Sequence, residues 1–283
     1  MKIAILGQGA CGTAFGHHFS RSGYEVSFNK INGARIILVC VPSYAVISTL
    51  SNLRKDLTDQ KIIICSKGFA SGEKLLSEAL KERFDNKIFF LYGPSLASEI
   101  ESGELTRMVL AGYPSADGGK EEIRQLAKEL ESENLHIELS DDVIGVQVGA
   151  TLKNVVTIFV GIAKGAGYGE NAQAFILTRG LQEIQRFGLA LGAKWETFSG
   201  LTCVGDLILH SRNRILGIEL GKGRKLDEIL KDIHVEHTLE GITAIKNARI
   251  MARKNNIEVP FIETLHSIIF EDQPMAEAIE SMR

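Results

Sequence analysis

Cysteine is scarce in this sequence. The four present, Cys11, Cys40, Cys65 and Cys203, form no CxxC pair and no metal-finger spacing. That sets aside a thiolate metal knuckle and fits a reducing, cytoplasmic setting. Cys40 and Cys65 lie inside apolar runs and read as small buried hydrophobes, and Cys203 reads as packing. Excess positive charge is also lacking. The formal net charge is −3, so no basic field is available to hold nucleic acid. Lys2 is followed by an apolar run that stops at Gly7, too brief for a signal peptide. The longest apolar stretch, 143–163, is interrupted by Gln147, Lys153 and Asn154, which favours a buried helix over a membrane span. His17-His18 is adjacent and His234-x-x-His237 has no third partner, so no metal is expected. Repeats, low-complexity tracts and charge blocks are absent.

What is present is an ordinary globular composition, 45% apolar and 24% charged over 283 residues, long enough for two domains. Short apolar runs at 2–6, 25–28, 35–41, 61–65 and 87–91 read as strands. Helical patterns at 13–22, 43–53 and 72–83 fall between them. This alternation predicts βαβ units and a parallel, Rossmann-type sheet covered by helices. Segments 108–111 and 135–139 add expected edge strands around a helix at 118–130. After about residue 140 the pattern changes. Asp141-Asp142 is a helix start, and 143–163, 171–191, 241–255 and 260–270 carry helical periodicity, with Gly165, Gly167 and Gly169 marking a loop. The expected organisation is therefore an α/β domain over 1–140 followed by an all-α domain over 141–283.

The chemistry begins at the first turn. Gly7-Gln8-Gly9-Ala10-Cys11-Gly12 fits GxGxxG, follows a strand and opens a helix, the context the motif requires. Gly7 permits a tight turn, Gly9 leaves room for a pyrophosphate, and Gly12 lets the helix approach the strand. Amides at the helix start, those of Ala10 and Cys11 among them, would then face the phosphates. The second strand ends in Phe28-Asn29-Lys30, with no acid to favour NAD. Lys30 would pair with a 2′-phosphate or is a solvated loop charge.

Three further strand ends carry small or charged groups: Pro42-Ser43, Ser66-Lys67-Gly68 and Gly93-Pro94-Ser95. Ligands in open α/β sheets bind beyond such ends, where Lys67 would reach a substrate anion; each segment alone is also compatible with a plain turn. In the helical half, Lys153 interrupts an apolar helix. Buried, it must be paired or shift its pKa downward, and could then serve as an acid or base; otherwise it snorkels outward beside Asn154. Asp206 is a candidate partner for it. Ser211-Arg212-Asn213-Arg214 offers a guanidinium fork and an amide suited to a phosphate, or a solvated helix end.

Taken in order, these segments resemble NAD(P)-dependent glycerol-3-phosphate dehydrogenase. The resemblance is carried by Gly7-x-Gly9-x-x-Gly12-Thr13-Ala14, Ser66-Lys67-Gly68, Gly93-Pro94-Ser95-x-Ala97, Leu152-Lys153-Asn154-Val155-Val156 and Thr178-Arg179-Gly180-Leu181. It continues through Glu196-Thr197-Phe198-x-Gly200-Leu201, Gly205-Asp206-Leu207, Ser211-Arg212-Asn213-Arg214 and Glu240-Gly241-x-x-Thr243-Ala244. The likeness implies an enzyme that interconverts dihydroxyacetone phosphate and sn-glycerol 3-phosphate with NAD or NADP, cytoplasmic, working as a homodimer and supplying phospholipid precursors. It further implies Lys153 as the catalytic lysine at the substrate, Lys67 as a catalytic residue contacting both substrate and cofactor, Asp206 supporting Lys153 and the substrate hydroxyls, and Gly93, Ser95, Ser211, Arg212 and Asn213 at the substrate. Ala97, Arg212 and Glu240 would lie at the cofactor. Two departures stand out. The segment from Asn29 to Ile36 is very short where the family has a long one, and the link from Leu207 to Ser211 is shortened, with His210 in place of the usual Thr/Cys run. A two-domain dehydrogenase of the 3-hydroxyacid type, or a silent dinucleotide-binding sensor, are the alternative readings.

Overall fold

The computed structural model describes residues 1–70, 74–113, 119–209, 212–232 and 239–281. The aliphatic runs at 2–6, 36–39, 61–64 and 88–92 form strands in which nearly every residue is buried on both faces, as in parallel sheets. In chain order the first half comprises β1 (Lys2–Leu6), α1 (Ala10–Arg21), β2 (Glu25–Phe28), β3 (Ile36–Val39), a 3₁₀ turn (Ser43–Ala45), α2 (Val46–Asn52) and β4 (Lys61–Ile64). It continues with α3 (Leu76–Lys81), β5 (Ile88–Tyr92), α4 (Ala97–Ser102), β6 (Thr106–Gly112), α5 (Gly119–Leu130) and β7 (Leu135–Ser140). The helix expected over 72–83 is shorter than its pattern. Leu75 is extended and donates its N–H to Glu78 Oε2 at 2.8 Å, so the helix starts after it; residues 72 and 73 lie outside the described residues.

The expected Rossmann-type sheet is present, in the order β2-β1-β3-β4-β5-β6-β7. It is parallel from β2 through β5, with one departure: β6 runs antiparallel to β5, and β7 then pairs parallel to β6. The link from β5 to β6 holds only the six-residue α4. At 1.5 Å per residue that helix cannot carry the chain back along the sheet, as a parallel crossover must. Only β7 of the two expected edge strands is an edge; the other edge is β2. The chain reverses direction of growth between β1 and β3, and this switch point opens a crevice at their carboxyl ends.

Among the described residues no strand follows Ser140. The second half contains α6 (Val143–Gly165), α7 (Glu170–Ala190), a 3₁₀ turn (Trp195–Ser199), a π turn (Leu201–Gly205), α8 (Arg212–Gly221), α9 (Leu226–Asp232), α10 (Leu239–Lys254), α11 (Pro260–Phe270) and α12 (Met275–Ser281). Helix α8 is weakly periodic and α9 and α12 are only seven residues long, so periodicity in the sequence does not mark them. The 23-residue α6 is long and apolar enough to cross a membrane, with a mean hydropathy of 1.6, yet its apolar window is 94% buried inside the fold. Its first turns, through Val143, Val146 and Ala150, complete the core on one sheet face. Its later turns, including Leu152, Val155 and Phe159, form the centre of the helical bundle. One helix thus belongs to both cores.

Two contacts position the functional segments around α6. At Gly161 a Cβ would come within 2.4 Å of the Arg214 carbonyl oxygen, and at Gly217 within 2.1 Å of the Ile158 carbonyl oxygen. The α6 and α8 backbones therefore touch, which holds the Arg212–Asn213 end of α8 against α6. At the other end, Asp142 caps α6, its Oδ1 accepting from Gly145 N–H at 2.8 Å. Its Oδ2 accepts from Lys194 N–H at 2.8 Å and Thr197 Oγ1 at 2.6 Å. This buried carboxylate ties α6 to the turns that lead to Asp206.

Asp142→Ala removes a cap and leaves buried donors unpaired, a loss of about 2–4 kcal/mol. Thermal unfolding should show a melting point lower by roughly 4–10 °C. A shift below about 1 °C would mean that this carboxylate does not tie the two segments.

Candidate functional site

The glycine turn has the geometry of an anion cradle. Gly7 adopts φ +102°, and a Cβ on it would meet the Cys40 carbonyl at 2.9 Å; a Cβ on Gly12 would meet the Gly7 carbonyl oxygen at 2.0 Å. Helix α1 starts from Gly9 with no side-chain cap, and its first intrahelical bond is from Thr13 N–H to Gly9 O at 2.9 Å. The amides of Ala10, Cys11 and Gly12 precede that bond, so helix geometry leaves them without intrahelical partners. The cradle thus fits the pyrophosphate of a dinucleotide. Cys11, Ser66, Lys67, Ser95 and Glu240 line one cleft beside it.

The ends of β4 and β5 are braced against each other. Tyr92 Oη donates to Ser66 O at 2.8 Å, and Lys67 Nζ and Ser95 Oγ both donate to Gly93 O, at 3.1 and 3.0 Å. The lysine is thereby aimed across the cleft mouth, where it meets Asp206. Lys67 Nζ lies 2.6 Å from Asp206 Oδ2, and Lys153 Nζ lies 3.0 Å from Asp206 Oδ1. A single carboxylate therefore bridges two ammoniums, one from each half of the chain. Lys153 is 4% and Asp206 2% exposed. The π turn over Leu201–Gly205 delivers Asp206 to this point.

Burial governs the electrostatics. It pulls the Lys153 ammonium below the usual lysine range; the Asp206 carboxylate opposes that shift and Lys67 adds to it. Burial would by itself raise Asp206, but the Lys67 and Lys153 ammoniums hold its carboxyl below the ordinary range. Cys203, next to this group, is pushed up to about 12 by burial, which keeps it a neutral packing thiol. On the cofactor side, Glu240 Oε1 accepts the Ser43 N–H at 3.1 Å, and burial pushes its carboxyl up to about 7 against the pull of that hydrogen bond and of Lys67 and Lys153. Among the described residues no group of three His, Cys, Asp or Glu side chains could hold a metal ion.

Two family descriptions match the chain: the NAD-dependent glycerol-3-phosphate dehydrogenase N-terminus over residues 28–117 and its C-terminus over residues 142–280. A glycerol-3-phosphate dehydrogenase [NAD(P)+] of Thermoanaerobacter sp. is 34% identical over 326 aligned positions, covering 100% of this chain and 96% of that protein. The chain belongs to the NAD(P)-dependent glycerol-3-phosphate dehydrogenase family. A second relative, from Fusobacterium nucleatum, is 36% identical over 263 positions, with 89% of this chain and 76% of that one covered. The crystal structure of the Coxiella burnetii glycerol-3-phosphate dehydrogenase superposes with a TM-score of 0.91 at 28% identity, covering 99% of this chain and 98% of that one. Family membership makes the chain an oxidoreductase acting on a CH–OH group, with NAD or NADP as cofactor.

In this glycerol-3-phosphate dehydrogenase fold the anticipated residues divide into those brought together and those not. Lys67, Gly93, Ser95, Lys153 and Asp206 form one connected group. Gly7, Gly9, Ala10, Cys11 and Gly12 make the adjoining cradle, with Glu240 facing it and Ala97 opening α4. Asn213 is buried beside Gly241, and its Oδ1 has no hydrogen-bond partner among the described residues. Arg212 is exposed at the first position of α8, and Lys30 is exposed after β2; the structure joins neither to the connected group. Ser211 and His210 lie outside the described residues. Ser43, one of the small residues at the strand ends, contributes a backbone amide, invisible to residue type, and Asn29, which ends the second strand, contributes through its contact with Gly7.

The Glu240 carboxyl titrates near the working range, and neutral it repels an incoming phosphate less. NADH and NADPH should bind more weakly as pH rises from about 6 to about 8, and Glu240→Gln should flatten that dependence. Calorimetric titrations of both proteins across this range test it, and parallel profiles would contradict the assignment.

Proposed function

We propose that the chain interconverts dihydroxyacetone phosphate and sn-glycerol 3-phosphate, with Lys153 as the group that gives a proton to the carbonyl oxygen in reduction and takes one from the hydroxyl in oxidation. The observation that carries this reading is the buried Lys67–Asp206–Lys153 bridge at the mouth of the glycine-turn cleft. The bound nicotinamide supplies or accepts the hydride. Lys153, its ammonium destabilised by burial, is poised to part with a proton more readily than a solvated lysine. An ammonium beside the carbonyl oxygen also stabilises negative charge developing there. Asp206 fixes the direction of both lysines and keeps them from repelling each other. Lys67 stays partly exposed, with 17% of its side chain accessible, and contacts substrate from the cleft side.

In the same reading residues 1–140 hold the dinucleotide and residues 141–283 the substrate. Asn213, with a free buried acceptor and an amide N–H₂, binds the triose beside Ser211, while the Arg212 guanidinium takes its phosphate. Four free thiols accord with a reducing cytoplasm, where the enzyme works as a homodimer and feeds phospholipid synthesis.

Wild-type protein should consume NADH or NADPH with dihydroxyacetone phosphate; no turnover with either would remove the proposal. Lys153→Ala should lower kcat by about 10²–10⁴-fold while leaving cofactor affinity in place. Arg212→Ala should raise KM for the phosphorylated triose about ten-fold or more, the loss of a charge-assisted contact. An unchanged KM would take Arg212 out of the phosphate site.

A further inference from the structure

Three of the four cysteines converge on the cofactor cleft. Cys11 lies in the first turn of α1, Cys40 is the first residue past β3, and Cys65 is the first past β4. The sheet fixes both strand ends: Cys40 N–H donates to Leu6 O at 2.8 Å, and Cys65 N–H to Val39 O at 2.9 Å. These residues stand at the carboxyl edge of the sheet, where ligands of such folds bind. There the thiols form a chain, Cys11 hydrogen-bonded to Cys40 and Cys40 to Cys65. All three line a cleft of about 160 Å³ together with Ser66, Lys67 and Glu240. Cys11 and Cys40 are half-buried, so a small reagent in the cleft reaches them, and Cys65 is buried. Hydride transfer makes no use of these sulfurs.

Packing around Cys40 leaves no slack. A Cβ on Gly7 would lie 2.9 Å from the Cys40 carbonyl, and one on Gly12 would lie 3.3 Å from Cys40 Cβ. The glycine turn and the end of β3 are thus already at closest approach. A covalent link between Cys11 and Cys40 is shorter than the hydrogen bond it replaces, and the movement it demands falls on the first turn of α1. That turn presents the Ala10, Cys11 and Gly12 amides to the pyrophosphate. The hydrogen bond to Cys40, with burial, pushes the Cys11 thiol up; Lys67 pulls it down and Glu240 pushes it further up. The positive end of α1 adds a downward pull. For Cys40 the bond from Cys11 acts downward, and the bond to Cys65 with burial outweighs it. Both sulfurs are therefore protonated near neutrality and react faster as pH rises.

We propose that Cys11 and Cys40 form a site of reversible oxidative modification, closing to a disulfide that weakens dinucleotide binding. The oxidant is a small hydroperoxide. The Cys11 sulfur, as thiolate, attacks one peroxide oxygen; the O–O bond breaks, Cys11 becomes a sulfenic acid, and the other oxygen leaves with a proton as water or an alcohol. The Cys40 sulfur then displaces the hydroxyl of the sulfenic acid, forming the S–S bond, and its proton leaves with that hydroxyl as water. Two thiols lose two electrons and two protons, and the peroxide gains them. A dithiol reverses the change. The site depends on the cradle alone, whatever triose the enzyme reduces.

Wild-type protein and Cys40→Ala, each treated with hydrogen peroxide at pH about 8.5, test this. The readouts are an unreduced peptide map by mass spectrometry and NADH binding by calorimetry. In wild type the map should join Cys11 to Cys40, and NADH binding should weaken about ten-fold or more and recover with dithiothreitol. NADH bound before treatment should slow the oxidation, because it covers the cleft. Untreated Cys40→Ala should bind NADH within about three-fold of wild type, which also shows that it is folded. After peroxide it should hold no disulfide at Cys11 and show no loss that dithiothreitol recovers. A Cys11–Cys40 disulfide with NADH affinity unchanged would overturn the proposal. So would a Cys40–Cys65 disulfide in its place, both thiols still reduced after treatment, or a recoverable loss of equal size in Cys40→Ala. The wild-type map and titration decide the matter by themselves should the variant fail to fold.

Discussion

The carboxylate of Asp206, shared between two ammoniums, is the interaction on which the site depends. Lys153 projects from a helix buried on all sides, and a charge there is tolerated only with a partner at hydrogen-bonding distance. Asp206 supplies that partner and spends its second oxygen on Lys67, which comes from the opposite half of the molecule. Removing the carboxylate would leave two like charges facing each other in a place that excludes water, a change that costs about 3–5 kcal/mol in comparable buried pairs. The same arrangement that is expensive for folding is useful for chemistry: an ammonium held in a dry cleft at a depressed pKa gives up a proton easily and interacts strongly with a developing oxyanion.

The rest of the fold can be read as what it takes to hold that carboxylate in place. Helix α6 contributes to the sheet-face core at one end and to the helical bundle at the other, so Lys153 is fixed relative to both. Asp142 secures the start of α6 to the turns that carry Asp206. On the sheet side, Gly93 O receives both Lys67 and Ser95, and Tyr92 anchors the turn before Lys67. Each group is set by an element buried for packing reasons, and none relies on a long free loop.

Much of this was legible in the residues. Aliphatic runs separated by helical patterns gave the strands, and GxGxxG after β1 gave the cradle, because a glycine turn between a strand and a helix has few other uses. Lys153 was conspicuous as a cation within an apolar helix, though periodicity alone left burial and snorkelling open. Its partners were a harder matter. Asp206 follows directly on a π turn, whose register no helical or strand period reveals. The antiparallel turn into β6 escaped notice because β6 has the same aliphatic character in either direction. Helix α8 was missed because Gly217 and Gly221, needed for close backbone contact with α6, lower its apparent helix propensity. Arg212, prominent in the sequence, lies exposed at the start of that helix, apart from the bridged group.

The short connection after β2 shows how a fold can lose a peripheral part without disturbing its centre. The bridged lysines and the shared helix lie on the far side of β1 from that edge, and the cradle between them keeps its geometry, Gly7 bonded to Asn29 at the end of β2. The most direct test of the central claim is a crystal structure of the protein with reduced cofactor and dihydroxyacetone phosphate. The account requires Lys153 Nζ at about 2.6–3.2 Å from the carbonyl oxygen, with Asp206 still joining it to Lys67. A carbonyl contacted by some other donor, with Lys153 turned away from it, would contradict the account.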